Sequence, residues 1–291
     1  MNERTTTQSP ALLGPGLLLM LASTACFTAN VLVIRALGAS AAAGIWVIVL
    51  ARFVVGFGLV ATLFRHELAL GRVFRDPLLV QRGVVGGICT AAFYLTIDHL
   101  GAGRAVFINN AYVVFAGLLA VPLLGERFHP GLVAGGAGAM LGLALLTDAF
   151  GAHRPFGLYD VVALAGAVGA AYVVITIRQL HATTHTATIF ASQCVWGILL
   201  CLGPALLHAA PVSSAASLGL LASGLLAGGG QLLMTRAFRE MPVAQGTLIQ
   251  TLVPVGVAAG GLAFFGERLS PDELTGGALI LAGTSLTALR R

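Results

Sequence analysis

Apolar residues fill long stretches of this chain, and polar residues are confined to short clusters between them. The apolar runs cover 15–37, 43–64, 81–99, 102–123, 131–147, 157–178, 186–207, 216–236, 243–265 and 272–289. Backbone groups in lipid must be satisfied within the segment, so runs of this length predict transmembrane helices. The period-two alternation that marks a membrane barrel is absent. The first run opens as "GLLLMLASTA", which has the look of a signal-peptide core, but it continues through "CFTANVLVI" and is long enough to span a bilayer. An uncleaved first helix is expected. The loops are short; the longest, "RHELALGRVFRDPLLVQR", separates the second and third runs.

Composition turns this pattern into a class. Only 9% of the 291 residues are charged and 57% are hydrophobic, with a mean hydropathy of +0.94. A soluble domain needs about a quarter of its residues charged, so most of this surface must face lipid. The net charge of +5 carries no nucleic-acid reading, because the arginines are scattered singly. The four cysteines, Cys26, Cys89, Cys194 and Cys201, all lie inside apolar runs and read as core filling. All 16 basic residues are arginine. Arg4, Arg65, Arg72, Arg75, Arg82, Arg127, Arg178, Arg236, Arg239, Arg290 and Arg291 fall on the side of the N-terminus. Arg35, Arg104, Arg154 and Arg268 fall opposite, and Arg52 lies inside the second run. Basic residues favour the cytoplasmic side, so both termini are expected there.

The chain also punctuates itself twice in the same words. "GERFHP" at 125–130 returns as "GERLSP" at 266–271, 141 residues later. The same offset pairs Gly16 with Gly157, Asn109 with Gln250, Gly135 and Gly136 with Gly276 and Gly277, and Gly142 with Gly283. Two units follow, 15–147 and 157–289, each with five helices. Five is odd, so the second unit must enter the membrane from the opposite side. The expected fold is therefore all-α integral membrane, with ten transmembrane helices as two inverted-topology five-helix repeats, an architecture of secondary transporters. "GER…P" reads chiefly as hairpin punctuation: Gly ends one helix and Pro opens the next. A gating role is the minor reading.

The stretches "AYVVFAGLLAVPLLGERFHPGLVAGGAGAMLGLALL" and "LVPVGVAAGGLAFFGERLSPDELTGGALILAGTSL" resemble the last two helices of the EamA-type repeat of the drug/metabolite transporter superfamily. "LARFVVGFGLVATL" is similar to that family's second helix, with its arginine at Arg52. Two departures stand out: the proline expected in helix 4 is Val113 in the first unit and Pro254 in the second, and Gln193 replaces the second unit's arginine. The resemblance implies a central cavity lined by helices 1, 3, 4, 6, 8 and 9, and export of small metabolites, with amino-acid exporters prominent among bacterial members.

Polar side chains at membrane depth are costly unless they face a cavity or a partner. Asn109 and Gln250 lie ~10 Å into their helices, on opposite sides of the midplane. An amide both donates and accepts, which suits an amino-acid backbone. Bonding across to another helix is the competing reading. Asn110 and Tyr112 adjoin Asn109; Asn30 and Gln231 follow the same logic, and Tyr94, Tyr172 and Trp196 are candidates for an apolar wall with polar tips. Arg52 reads either as a carboxylate ligand or, preferably, as a brace between helices, and Pro254 as a hinge in helix 9. Trp46 reads as an interfacial anchor. Glycines four apart, such as Gly83/Gly87 and Gly138/Gly142, suit close helix packing. No carboxylate stands at mid-membrane, which favours facilitated diffusion or exchange over proton coupling. His181 and His185 fall in a loop without the His-Glu-x-x-His pattern, and no phosphate loop exists, so neither a metal nor another cofactor is expected.

The sequence thus predicts a monomeric bacterial inner-membrane exporter of amino acids (aromatic or other neutral ones) and related metabolites, surrounded by lipid and working by alternating access. A multidrug or other metabolite exporter of the same fold, with proton coupling, is the alternative. A channel or a membrane enzyme ranks last.

Overall fold

The computed structural model describes residues 14–37, 44–127, 130–149, 155–208 and 213–288. Arg4, Arg154, Arg290 and Arg291 lie outside the described residues. Among these residues every regular element is a helix: α1 (Pro15–Leu37), α2 (Ile45–Leu63), α3 (Leu70–Arg75), α4 (Pro77–Leu100), α5 (Ala102–Asn110), α6 (Tyr112–Leu124), α7 (Pro130–Leu146), α8 (Leu158–Leu180), α9 (Thr186–Leu207), α10 (Ser214–Glu240), α11 (Val243–Gln250), α12 (Leu252–Phe265) and α13 (Pro271–Ala288). Eight stretches are long and apolar enough to cross a membrane, counting α5–α6 and α11–α12 as one each, and α7 is a shorter apolar helix.

Three expectations need correction. The third helix starts at Pro77 rather than 81, because Asp76 caps it by accepting from Leu78 N at 3.1 Å and Pro77 opens its first turn. Arg82, counted above as a loop arginine, is therefore inside α4 and fully buried. That lowers the loop arginines on its side by one and leaves the bias intact. The fourth and ninth runs are each interrupted, at Ala111 and at Thr251, whose N–H groups bond three residues back to Ile108 and Leu248, each at 3.1 Å. Such tight turns break an α-helical ladder. Pro254 stands in the first turn of α12, where its missing N–H costs no bond. The break at Ala111 has no proline at all.

The two glycines of the repeated motif do end their helices. Gly125 (φ 69°) and Gly266 (φ 65°) both adopt the left-handed conformation that glycine enters without a Cβ penalty. Glu126 N bonds Ala120 O and Glu267 N bonds Gly261 O, both at 3.2 Å and both six residues back, so each left-handed glycine turns the chain onto the last carbonyls of its helix.

Helix pairings also recur under the 141-residue shift. The packing of α1 on α10 corresponds to that of α8 on α4, α1 on α12 to α8 on α6, and α2 on α10 to α9 on α4. The α7–α13 pairing maps onto itself. A Cβ on Gly142 would stand 2.5 Å from Gly276 O, and one on Gly283 would collide with Gly135 O. Gly142 therefore faces Gly276 while Gly135 faces Gly283, so these corresponding helices run antiparallel with their backbones nearly touching.

Candidate functional site

Arg52 sits about 10 Å into α2. Its Nη1 donates to the Tyr94 hydroxyl on α4 at 3.4 Å, and its guanidinium lies 5.9 Å from the centre of the Phe27 ring on α1. The contact to the ring is at the limit of a cation–π interaction. Among the described residues no carboxylate forms an ion pair with Arg52. Three helices thus converge on a half-buried cation with spare donors. Of the expected site residues, the structure brings Arg52 and Tyr94 together.

A second group forms a seam between α1 and α10. Ser23 Oγ donates to Gly230 O at 2.7 Å, and two turns along, Ser223 Oγ donates to Asn30 Oδ1 at 2.6 Å. Gln250, the last residue of α11, donates through Nε2 to Ser23 Oγ and to Met20 Sδ, both at 3.0 Å. Gln231 is buried on the same helix as Ser223. Gln250 and Asn30 are therefore tied across helices, as burial of an amide in lipid requires.

The remaining candidates are dispersed. Asn110 turns back to its own helix, donating to Val106 O at 2.8 Å. Asn109 is half-buried. Tyr112 packs beside Val113, Ala139 and Leu248. Tyr172 donates to Gln81 Oε1 at 2.6 Å near the other end of α4 from Tyr94. Trp196 is not part of a wall with them: its Nε1 donates to Val73 O at 3.2 Å and its ring packs on Phe74, which fastens α3 to α9. Trp46 packs beside the cluster of Val49, Phe53 and Cys201. His181 Nε2–H donates to Thr235 O at 2.6 Å. Burial, and then Arg239, Arg236 and Arg178, push its pKa below the usual 6.5.

Sequence reasoning missed Arg82. This side chain is wholly buried, donating from Nη2 to Gln193 Oε1 at 3.0 Å, while Nε and Nη1 have no partner. The Asp76–Pro77 pair, a helix-start signal, was the clue that Arg82 lies inside the helix.

The bundle is closed unequally at its two ends. At the end carrying α3 and Gly125, α11 packs against α6. The corresponding pair at the other end, α5 and α12, is not packed in this way. A cleft of about 270 Å³ opens between α6, α7 and α11, but its lining, which includes Val113, Leu118, Val133 and Leu248, is apolar and holds none of the polar candidates.

Residues 14–148 and 157–289 each match the EamA-like transporter family. The pseudopaline exporter of Pseudomonas aeruginosa is 30% identical over 278 residues, covering 90% of this chain and 92% of that one. A probable terminal-alkyne amino-acid exporter of Streptantibioticus cattleyicolor is 34% identical over 223 residues, 72% of each chain. A solved crystal structure superposes with a TM-score of 0.79 over 93% of this chain and 95% of its own, at 17% identity, and shares the fold.

Proposed function

The chain belongs to the EamA-like transporter family, and from that premise we propose that it exports small amino-acid-type metabolites bearing a carboxylate. The family makes it a transporter and not an enzyme. The single observation that carries the substrate class is Arg52: a half-buried guanidinium on Tyr94 with no carboxylate among the described residues to neutralise it. Such a fork binds a carboxylate bidentately. The names of these relatives, a pseudopaline exporter and a probable terminal-alkyne amino-acid exporter, agree with a small solute of this kind.

In this reading the protein is a monomer of ten crossings in the bacterial inner membrane, built of two inverted repeats over 15–147 and 157–289. The self-complementary Gly142/Gly276 and Gly135/Gly283 contacts of antiparallel α7 and α13 support the inversion. The arginine-rich end is cytoplasmic by the positive-inside rule. The packed α6–α11 pair then seals the cytoplasmic side, and the looser α5–α12 pair leaves the site open outward. Arg52 and Tyr94 bind the carboxylate, the half-buried Asn109 on α5 is a second candidate contact, and Asn30, Gln231 and Gln250 stiffen the α1–α10–α11 wall. The breaks at Ala111 and near Pro254 let each half of helices 4 and 9 move separately. The buried Asp160 is held by Arg104 at 2.7 Å at the start of α8, so no mid-membrane carboxylate supports proton coupling, and exchange or facilitated diffusion is proposed.

The test is flux of labelled amino acids into liposomes holding the purified protein, with and without a pH gradient. Saturable, gradient-independent flux that falls in Arg52→Gln supports the reading. Movement of uncharged drugs but of no amino acid overturns it.

A further inference from the structure

The two left-handed glycine caps, at Gly125 and Gly266, match in backbone, yet their glutamates are used differently. Glu126 reaches across to the other half of the chain: its Oε1 accepts from Val243 N, the first residue of α11, at 2.9 Å. That residue follows Pro242, which offers no capping side chain. Glu126 therefore caps α11 in trans, satisfying an otherwise orphaned N–H and placing a carboxylate at the positive end of the helix. It does so at the end where α11 is packed on α6.

Glu267 occupies the same place on the second cap but pairs with Arg35 near the end of α1. Arg35 Nη1 donates to Glu267 Oε2 at 3.0 Å, Nη2 contacts Oε1, and the guanidinium lies 4.9 Å from the Phe265 ring centre. The residue that corresponds to Val243 under the 141-residue shift is Ala102, the first residue of α5. Its N-cap, Gly101, has no side chain to cap with. So, among the described residues, no side-chain hydrogen bond caps Ala102, the residue Glu267 would cap by symmetry, at the end where α5 and α12 are not packed together.

We infer that Glu126 and Glu267 are alternate gate latches: Glu126 caps α11 when the cytoplasmic side is shut, and Glu267 leaves Arg35 to cap α5 at Ala102 when the outer side is shut. Arg35 is the holder that keeps the second latch disengaged in the conformation described above. The chemistry is one carboxylate–helix contact made at either end in turn, with no net change in the number of caps. This inference rests on the alternating-access reading, and it names positioning residues that need not touch the substrate.

Distances between spin labels on the full-length protein in nanodiscs test it. Labels at Arg127→Cys and Arg239→Cys straddle the inner end. Asp98→Cys and Arg268→Cys, their counterparts under the shift, straddle the outer end, and all four positions are exposed. The native cysteines lie within the helices, and each is replaced by alanine in the labelled background. Glu126→Gln is expected to lengthen the inner distance and shorten the outer one, raising the inward-open to outward-open ratio by roughly tenfold. Glu267→Gln is expected to lower that ratio, and Arg35→Gln to raise it only while Glu267 is present. The comparison of Arg35→Gln with Arg35→Gln/Glu267→Gln does not depend on whether Glu126→Gln folds. If substrate shifts both distances in opposite senses while the glutamate variants leave them at parental values, alternating access stands and the latches are refuted. If no condition moves the two distances in opposite senses, alternating access itself fails and the latches with it.

Discussion

Arg82 and Gln193 form a buried rung between α4 and α9, with Nη2 donating to Oε1 at 3.0 Å. The shift of 141 residues carries Gln193 to Arg52 and Arg82 to Ser223. Both arginines belong to the first unit, yet each of the two corresponding helix pairs has one: Arg52 on the second helix in α2–α10, and Arg82 on the partner helix in α4–α9. That is why Gln193 is tolerated where the family resemblance places an arginine.

The Arg82 charge has Gln193 as its hydrogen-bond acceptor, and two of its three guanidinium nitrogens, Nε and Nη1, have none. Removing the acceptor leaves a buried cation less compensated, whereas removing the cation relieves two orphan donors. Gln193→Leu is expected to destabilise the folded protein by about 1.5–3 kcal/mol. Arg82→Met is expected to cost less, because it strands only the neutral Gln193 Oε1, while Nε2 still donates to Gly86 O and Thr90 Oγ1 at 3.4 and 3.3 Å. Thermal unfolding in detergent ranks the two; a larger loss for Arg82→Met would reverse the assignment.

What the sequence made legible was whatever repeats or whatever lipid dictates. Apolar runs located the helices, and the repeated Gly125 and Gly266 announced left-handed caps that the backbone has. The break at Ala111 carried no proline and was not visible, since it is set by tertiary context around a residue of high helix propensity. The site was less legible than the fold. The sequence leaves Arg52 as a brace or a carboxylate ligand, and its contact with Tyr94 depends on helix rotation, which spacing alone does not fix. For Gln250 the sequence leaves both a ligand and a cross-helix partner open, and its bonds to Ser23 and Met20 depend on a helix rotation that spacing does not fix.

The α7–α13 contact gives a sharp contrast between two glycines one turn apart. A Cβ on Gly142 would stand 2.5 Å from Gly276 O, whereas one on Gly138 meets nothing within 4 Å. Gly142→Ala must push the helices apart and is expected to cost about 1–3 kcal/mol, the usual range for overpacking. Gly138→Ala should be neutral or slightly stabilising through helix propensity. Unfolding titrations of the two variants check this, and equal effects would dismiss the close backbone contact.

His181 supplies a pH dependence. Its pKa is depressed in the folded protein by burial and by Arg239, Arg236 and Arg178, while the unfolded chain titrates near 6.5. Below that value the unfolded state binds more protons, so stability is held above about pH 6.5 and lost as pH falls through the lower folded value. His181→Gln, which keeps a donor for Thr235 O, is expected to flatten the fall in melting temperature between about pH 7 and 5. An unchanged slope would assign the acid sensitivity to other groups.

Arg52 decides between a brace and a ligand, because the two roles separate in kinetics. A brace loses stability on substitution and treats all substrates alike. A carboxylate ligand loses affinity for acids and leaves their amides or esters almost untouched. Since a charge-assisted hydrogen bond contributes about 1.5–3 kcal/mol, Arg52→Gln is expected to raise KM for an amino-acid substrate by roughly ten- to a hundredfold. For the corresponding amino-acid amide the change should be under about threefold, within the range of a lost neutral contact. Tyr94→Phe removes the hydroxyl that holds the guanidinium at 3.4 Å, and a contact of that length is weak. Its effect should follow the same acid-over-amide preference but remain within about tenfold. Arg52→Lys keeps the charge without the fork, so it should fall between the parent and Arg52→Gln. If both substrates lose equally in Arg52→Gln, and melting temperature falls with them, the guanidinium is a brace and the carboxylate is bound elsewhere.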